Sequence, residues 1–132
     1  MKIIVDTNVL LRAFLGDDAK QAAVAKRTLE QASLIAIPVP AFCEFVWVLR
    51  RQYKVPGADI AAAIEALLVI ETVQTDLPAV EAGLAVLKAG GDFADGAIAA
   101  QGGPLGGALF ATFDQTARLL WQRQGGQVAM LE

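Results

Sequence analysis

Short uninterrupted apolar runs alternate along the chain with longer segments of helical period. Lys2-Ile3-Ile4-Val5 is a β-branched run that predicts a first strand. Asp6-Thr7-Asn8 supplies helix-start chemistry for a helix over 9–15, and Asp17-Asp18 open a second that runs to about residue 33. Leu34-Ile35-Ala36-Ile37 predicts a second strand, closed by Pro38 and Pro40. A helix over 41–53 follows, with Phe42, Phe45, Val46 and Leu49 at core-facing spacing, and Val55-Pro56-Gly57 breaks it. Residues 58–69 read as an alanine-rich helix and 72–75 as a third strand. A helix over 77–88 ends at Gly90-Gly91, a short one spans 92–100, and 101–107 reads as a flexible glycine-rich loop. A strand over 109–113, a helix over 115–124 and a strand over 127–131 complete the chain.

Strands that are apolar throughout, rather than alternating, are expected where both faces of a sheet are covered. Their regular alternation with helices predicts a single α/β domain over 1–132, a three-layer α/β/α fold with a mainly parallel sheet of four or five strands. In such sheets ligands bind beyond the carboxyl ends of the strands. Functional residues are therefore expected just after a strand or at the start of a helix.

Composition narrows the chemistry. The chain has 132 residues, 55% of them hydrophobic and 19% charged, which excludes a disordered protein. It contains no histidine, so His general bases, Ser-His-Asp triads and His-ligated zinc are all excluded. One cysteine, Cys43, excludes an intrachain disulfide and a cysteine metal cluster; it reads as a small core residue. No stretch reads as a signal peptide or membrane span, so a cytoplasmic protein without membrane contact is expected.

Carboxylates remain. Asp6 follows the first strand and Asp114 the fourth, Glu44 lies early in the helix after the second, and Asp92 and Asp95 open a short helix. Taken singly, Asp6 and Asp114 read equally as helix caps, and Asp92 reads more readily as a cap than as a site residue. Together they aim acids at one edge of a sheet. Two carboxylates ~4 Å apart repel by about 4 kcal/mol at an effective dielectric near 20. Four cannot all stay ionised without protons or a cation, and an all-oxygen donor set favours Mg²⁺ or Mn²⁺. Setting Asp6, Glu44, Asp95 and Asp114 aside leaves ten acids against 11 basic residues, so the rest of the chain is net +1. Arg12 and Arg51, each on a helix carrying or following one of these acids, are candidates for contact with phosphates. Trp47 and Trp121 could stack bases, but aromatic packing within the protein is the expectation for both.

These residues together resemble the PIN-domain nucleases, and most closely the VapC-type toxins of type II toxin–antitoxin pairs. Ile3–Leu11 resembles the first motif and carries Asp6; Pro40–Leu49 resembles the second and carries Glu44. Gly91–Ala100 resembles the third, with Asp92 and Asp95, and Phe110–Asp114 the fourth. The resemblance implies a metal-dependent endoribonuclease cutting tRNA or rRNA. Asp6, Glu44, Asp95 and Asp114 would hold Mg²⁺, with Mn²⁺ able to substitute. Asp92 would be an accessory acid, and Asn8 and Thr112 would hydrogen-bond to hold the carboxylates in place. The implied partners are a cognate antitoxin and a second copy of the chain in a homodimer, or a larger toxin–antitoxin assembly. Gly96-Ala97 stands where the family has a bulky residue, so the helix carrying Asp95 is expected to be loosened. Two other classes compete: a non-catalytic nucleic-acid or protein-binding module of the same fold, and a Mg²⁺-dependent phosphotransfer domain. The second is disfavoured by the absence of a lysine beyond Lys88 and by Asn at position 8 in place of an Asp-x-Asp start.

Overall fold

The computed structural model describes residues 1–132. The chain forms two compact units, Met1–Asp76 and Leu77–Glu132.

The first unit contains β1 (Lys2–Ile4), α1 (Thr7–Leu15), α2 (Ala19–Gln31), β2 (Leu34–Ala36), α3 (Val39–Arg51), α4 (Gly57–Leu68) and β3 (Val73–Gln74). The three strands form one sheet in the order β1-β2-β3, both pairs parallel, with Ile3 opposite Ile35 and Ile35 opposite Val73. Each pair is joined by a two-helix crossover, as a parallel ladder requires. The core packs Leu10, Phe42, Phe45, Leu49, Ile60 and Ile64 against Ile35 and Ile37, all buried. Phe14 meets Phe45 edge-on, ring centroids 5.9 Å apart.

Local chemistry sets the helix ends. The side chain of Asp6 caps α1 and that of Asp18 caps α2. Gly16 closes α1 with a φ of 65°, the left-handed conformation glycine adopts without a Cβ penalty. α3 starts earlier than expected. Pro38 is its N-cap and Pro40 lies inside the first turn, where a missing N–H costs nothing because it would have no intrahelical acceptor.

The second unit contains α5 (Leu77–Lys88), α6 (Phe93–Gly102), β4 (Phe110–Thr112), α7 (Gln115–Arg123) and β5 (Val128–Met130). β4 and β5 pair in parallel, Phe110 opposite Val128, across the α7 crossover. The core joins Val80, Leu84, Val86 and Leu87 of α5 to Phe93 and Ala97 of α6 and Leu120 of α7. The loop expected over 101–107 is shorter: α6 runs on to Gly102, and a tight turn follows in which the N–H groups of Leu105 and Gly107 donate to the carbonyl of Gly102.

The α/β character, five strands and all-parallel pairing agree with expectation. The strands are shorter than predicted and pair as three plus two. They are also less covered than apolar runs imply: β1 is an edge strand, and Ile4 is 80% exposed. No helix is long and apolar enough to cross a membrane.

Candidate active site

In the first unit, two acids stand after parallel strands. Asp6 follows β1 and is exposed. Its Oδ1 accepts the Val9 N–H at 3.2 Å, capping α1. Capping uses one of the two oxygens, so the carboxylate, which offers about four lone-pair sites, keeps acceptor capacity at Oδ2. Glu44 lies on the exposed side of α3, and its Oε2 accepts the hydroxyl proton of Thr7 at 3.1 Å. That bond ties the helix after β2 to the residue next to Asp6, so Asp6 and Glu44 occupy the same end of this unit. Asn8 is exposed and makes no hydrogen bond to a carboxylate; Thr7, expected only to help start a helix, is the residue that holds one.

A cleft of about 510 Å³ opens beside Asp6, lined also by Asn8, Arg12, Lys20, Gln21 and Val24. Arg12 donates to Asp17 Oδ1 at 3.0 Å, so any contact it makes with phosphate competes with that pair. The competition is mild, since exposed ion pairs contribute about 0–1 kcal/mol. Lys20 brings a second cation to the same cleft, which sequence spacing did not single out because it lies on α2, away from the acidic motifs.

In the second unit, Asp92 caps α6 through Oδ1 on the Ala94 N–H at 3.2 Å, and Asp114 caps α7 through Oδ1 on the Ala117 N–H at 2.9 Å. The capping reading therefore holds for both, and each cap uses one carboxylate oxygen. Thr112 Oγ1 accepts the Asp114 N–H at 3.0 Å, fixing the backbone at Asp114 rather than touching its carboxylate. Asp95, half-buried in the first turn of α6, has its carboxyl pushed above the ordinary carboxylate range by burial, then by the charges of Asp92 and Asp114. These three acids from two helix starts thus share one electrostatic neighbourhood.

The donor set is hard oxygen only, and the strained ionisation of Asp95 favours a cation or a proton nearby. That chemistry fits a divalent metal. In neither unit, however, are three such side chains drawn together closely enough to hold an ion.

Trp47 departs from expectation. The buried side of α3 is taken by Ala41, Phe42, Phe45, Val46 and Leu49, which leaves Trp47 on the opposite side, 54% exposed. Its spacing of three residues from Glu44 contained that information. Arg51 is exposed on the same side. Trp121 is half-buried, packed against Gly126, and Cys43 is half-buried rather than in the core.

Gly96 also behaves differently from expectation. A Cβ there would lie 2.5 Å from the Ala82 carbonyl oxygen and 2.9 Å from Val86 Cγ2. The missing side chain brings α6 against α5 and holds the Asp95 helix close; it does not loosen it.

Residues 3–119 match the family model described as PIN domain. A comparison with curated proteins found no match.

Proposed function

The chain belongs to the PIN-domain family, and from that premise we propose that it is a metal-dependent endoribonuclease, the toxin of a type II toxin–antitoxin module of VapC type. Membership supports a nuclease at the coarse level. The observation that carries the metal-dependent reading is the placement of acids at strand and helix ends, with Asp95 half-buried beside Asp92 and Asp114; the toxin assignment rests on the resemblance of the four sequence motifs.

Asp6, Glu44, Asp95 and Asp114 would hold Mg²⁺, or Mn²⁺ in its place, with Asp92 at the edge of the site. When bound, such an ion supplies water activation at neutral pH and neutralises charge on the phosphate. The chain's own side chains do the positioning. Thr7 fixes the carboxylate of Glu44, and Thr112 fixes the backbone that carries Asp114. Lys20 and Arg12 present cations to a strand entering the cleft beside Asp6. Water adds across one P–O bond of the RNA, leaving a phosphate on one fragment and a hydroxyl on the other. Exposed single-stranded sites in tRNA or rRNA are the expected targets, because unstacked bases are accessible there. A cognate antitoxin and a second copy of the chain are the proposed partners, in the cytoplasm.

The test is RNA cleavage by protein freed of copurifying antitoxin, in Mg²⁺, Mn²⁺ or EDTA. Cleavage should require metal and be abolished by Asp6→Asn and Asp95→Asn in variants whose circular dichroism is unchanged. Turnover that persists in EDTA and in Asp6→Asn refutes the mechanism. The alternative outcome is a PIN-like module that binds RNA or protein without cutting. Tight RNA binding with no turnover in either metal would establish it.

A further inference from the structure

We propose that Trp47 and Arg51 form a stacking platform that holds an unstacked base of single-stranded RNA beside Glu44, an inference that rests on RNA being the ligand. The platform lies on a single helix. Glu44, Trp47 and Arg51 stand at positions i, i+3 and i+7 of α3, within one side of it, and all three are exposed. At 1.5 Å rise per residue, Trp47 lies about 4.5 Å along the axis from Glu44 and Arg51 about 10 Å. The indole is 54% exposed, unusual for the side chain with the largest apolar surface.

The chemistry of the pair fits a nucleotide. Arg51 Cζ stands 5.8 Å from the centroid of the Trp47 ring, within cation–π range. An indole has two faces; the guanidinium takes one and a base can take the other. A guanidinium carries five N–H donors, so Arg51 can also donate to phosphate oxygens. Aromatic side chains beside a cation are the recurrent means of holding single strands, and stacking tolerates any base because every base has a π-face. A strand stacked at Trp47 runs its backbone past the carboxylate that Thr7 holds in place. An apolar protein partner would gain from the indole but would bury the charges of Glu44 and Arg51, at a desolvation cost that a solvated polyanionic strand avoids.

The experiment measures binding without turnover. Full-length protein in EDTA is titrated into a fluorescein-labelled ten-residue oligouridylate, and anisotropy gives the affinity. Trp47→Ala should weaken binding by about fivefold or more, and Trp47→Phe by less, since a smaller aromatic face remains. Arg51→Gln should lower the slope of log affinity against log salt by about 0.7, one single-strand phosphate contact. The chain has two tryptophans, so Trp121→Phe leaves Trp47 as the sole indole reporter, and its fluorescence should be quenched as the oligonucleotide binds. If that variant fails to fold, the anisotropy series on the intact chain still decides the question. Unchanged affinity in Trp47→Ala overturns the platform, and so does unquenched Trp47 fluorescence at saturation. Affinity unchanged while sedimentation shifts overturns it in favour of an interface between copies. No binding of the wild-type chain to the oligonucleotide at low salt also overturns it. The nuclease reading is judged separately, by cleavage in metal. Lys20-dependent cleavage with Trp47 dispensable removes the platform alone, whereas Trp47-dependent binding with no cleavage removes the nuclease alone.

Discussion

Gly96→Ala gives the sharpest test of how the Asp95 helix is held, because two effects of opposite sign compete. Alanine in a helix interior is favoured over glycine by about 1 kcal/mol. Were α6 loose, that gain would dominate and the variant would be more stable. The structure places the new Cβ 2.5 Å from the Ala82 carbonyl oxygen, where ordinary contact begins at 3.4 Å. The helix must therefore retreat by about 0.9 Å, the difference between those two distances. The obstacle is backbone and cannot rotate away. Overpacking costs about 1–3 kcal/mol, with the upper part of that range expected against a rigid carbonyl. After the propensity gain, the net loss is about 1–2 kcal/mol. For a chain of this size that is a Tm lower by roughly 3–10 °C, or a lower urea midpoint at unchanged m. Adding Val86→Ala should not restore stability, since it removes the Cγ2 contact and leaves the carbonyl in place. A displacement of that size also carries Asp95 with it, and a misplacement of ~1 Å near the chemistry can cost on the order of 100-fold in rate. A Gly96→Ala protein that melts higher than wild type and cuts RNA normally would refute the close-packing argument.

Asp95→Asn should stabilise the metal-free protein at neutral pH. A carboxyl raised in the folded state contributes stability that is fully present below its unfolded pKa and lost as pH rises through the folded one. Thermal melts in EDTA should therefore show wild type and variant converging as pH falls into the ordinary carboxylate range, and added Mg²⁺ should raise the wild-type Tm more than that of the variant. Thr7→Val removes the hydroxyl donor to Glu44. It should cost about 1 kcal/mol or less in urea unfolding while lowering cleavage well beyond what that loss explains. Asp18→Ala deletes the cap of α2 on the Gln21 N–H. It should lower stability by about 1 kcal/mol, read as a lower urea midpoint at unchanged m.

The order of elements could be read from the sequence because it depends on local rules. β-branched runs, Asp caps and Gly stops act within four or five residues of themselves. Helix α5 shows this most clearly, its predicted span over 77–88 matching Leu77–Lys88. The start of α3 was harder to place. Pro40 stops a strand and equally fits a first helical turn, and only the path of the chain between β2 and α3 distinguishes the two. Candidate acids were found by residue type and position after strands. Sequence could not separate a cap from a ligand there, because a carboxylate that caps with one oxygen still has a second one to offer.

What the sequence determined by itself is therefore the α/β alternation, the exclusion of histidine chemistry, of an intrachain disulfide and of a cysteine metal cluster, and the set of acids at element starts. Tertiary structure alone decided that Thr7 reaches Glu44 across 37 residues, that Asp95 shares its surroundings with Asp114, and that Gly96 admits α5. It also left Trp47 outside, because the other side of α3 had already filled the core. Each of these depends on distances between residues remote along the chain. Hydrogen bonds and contacts act over about 3–4 Å in space, a range that sequence separation does not encode.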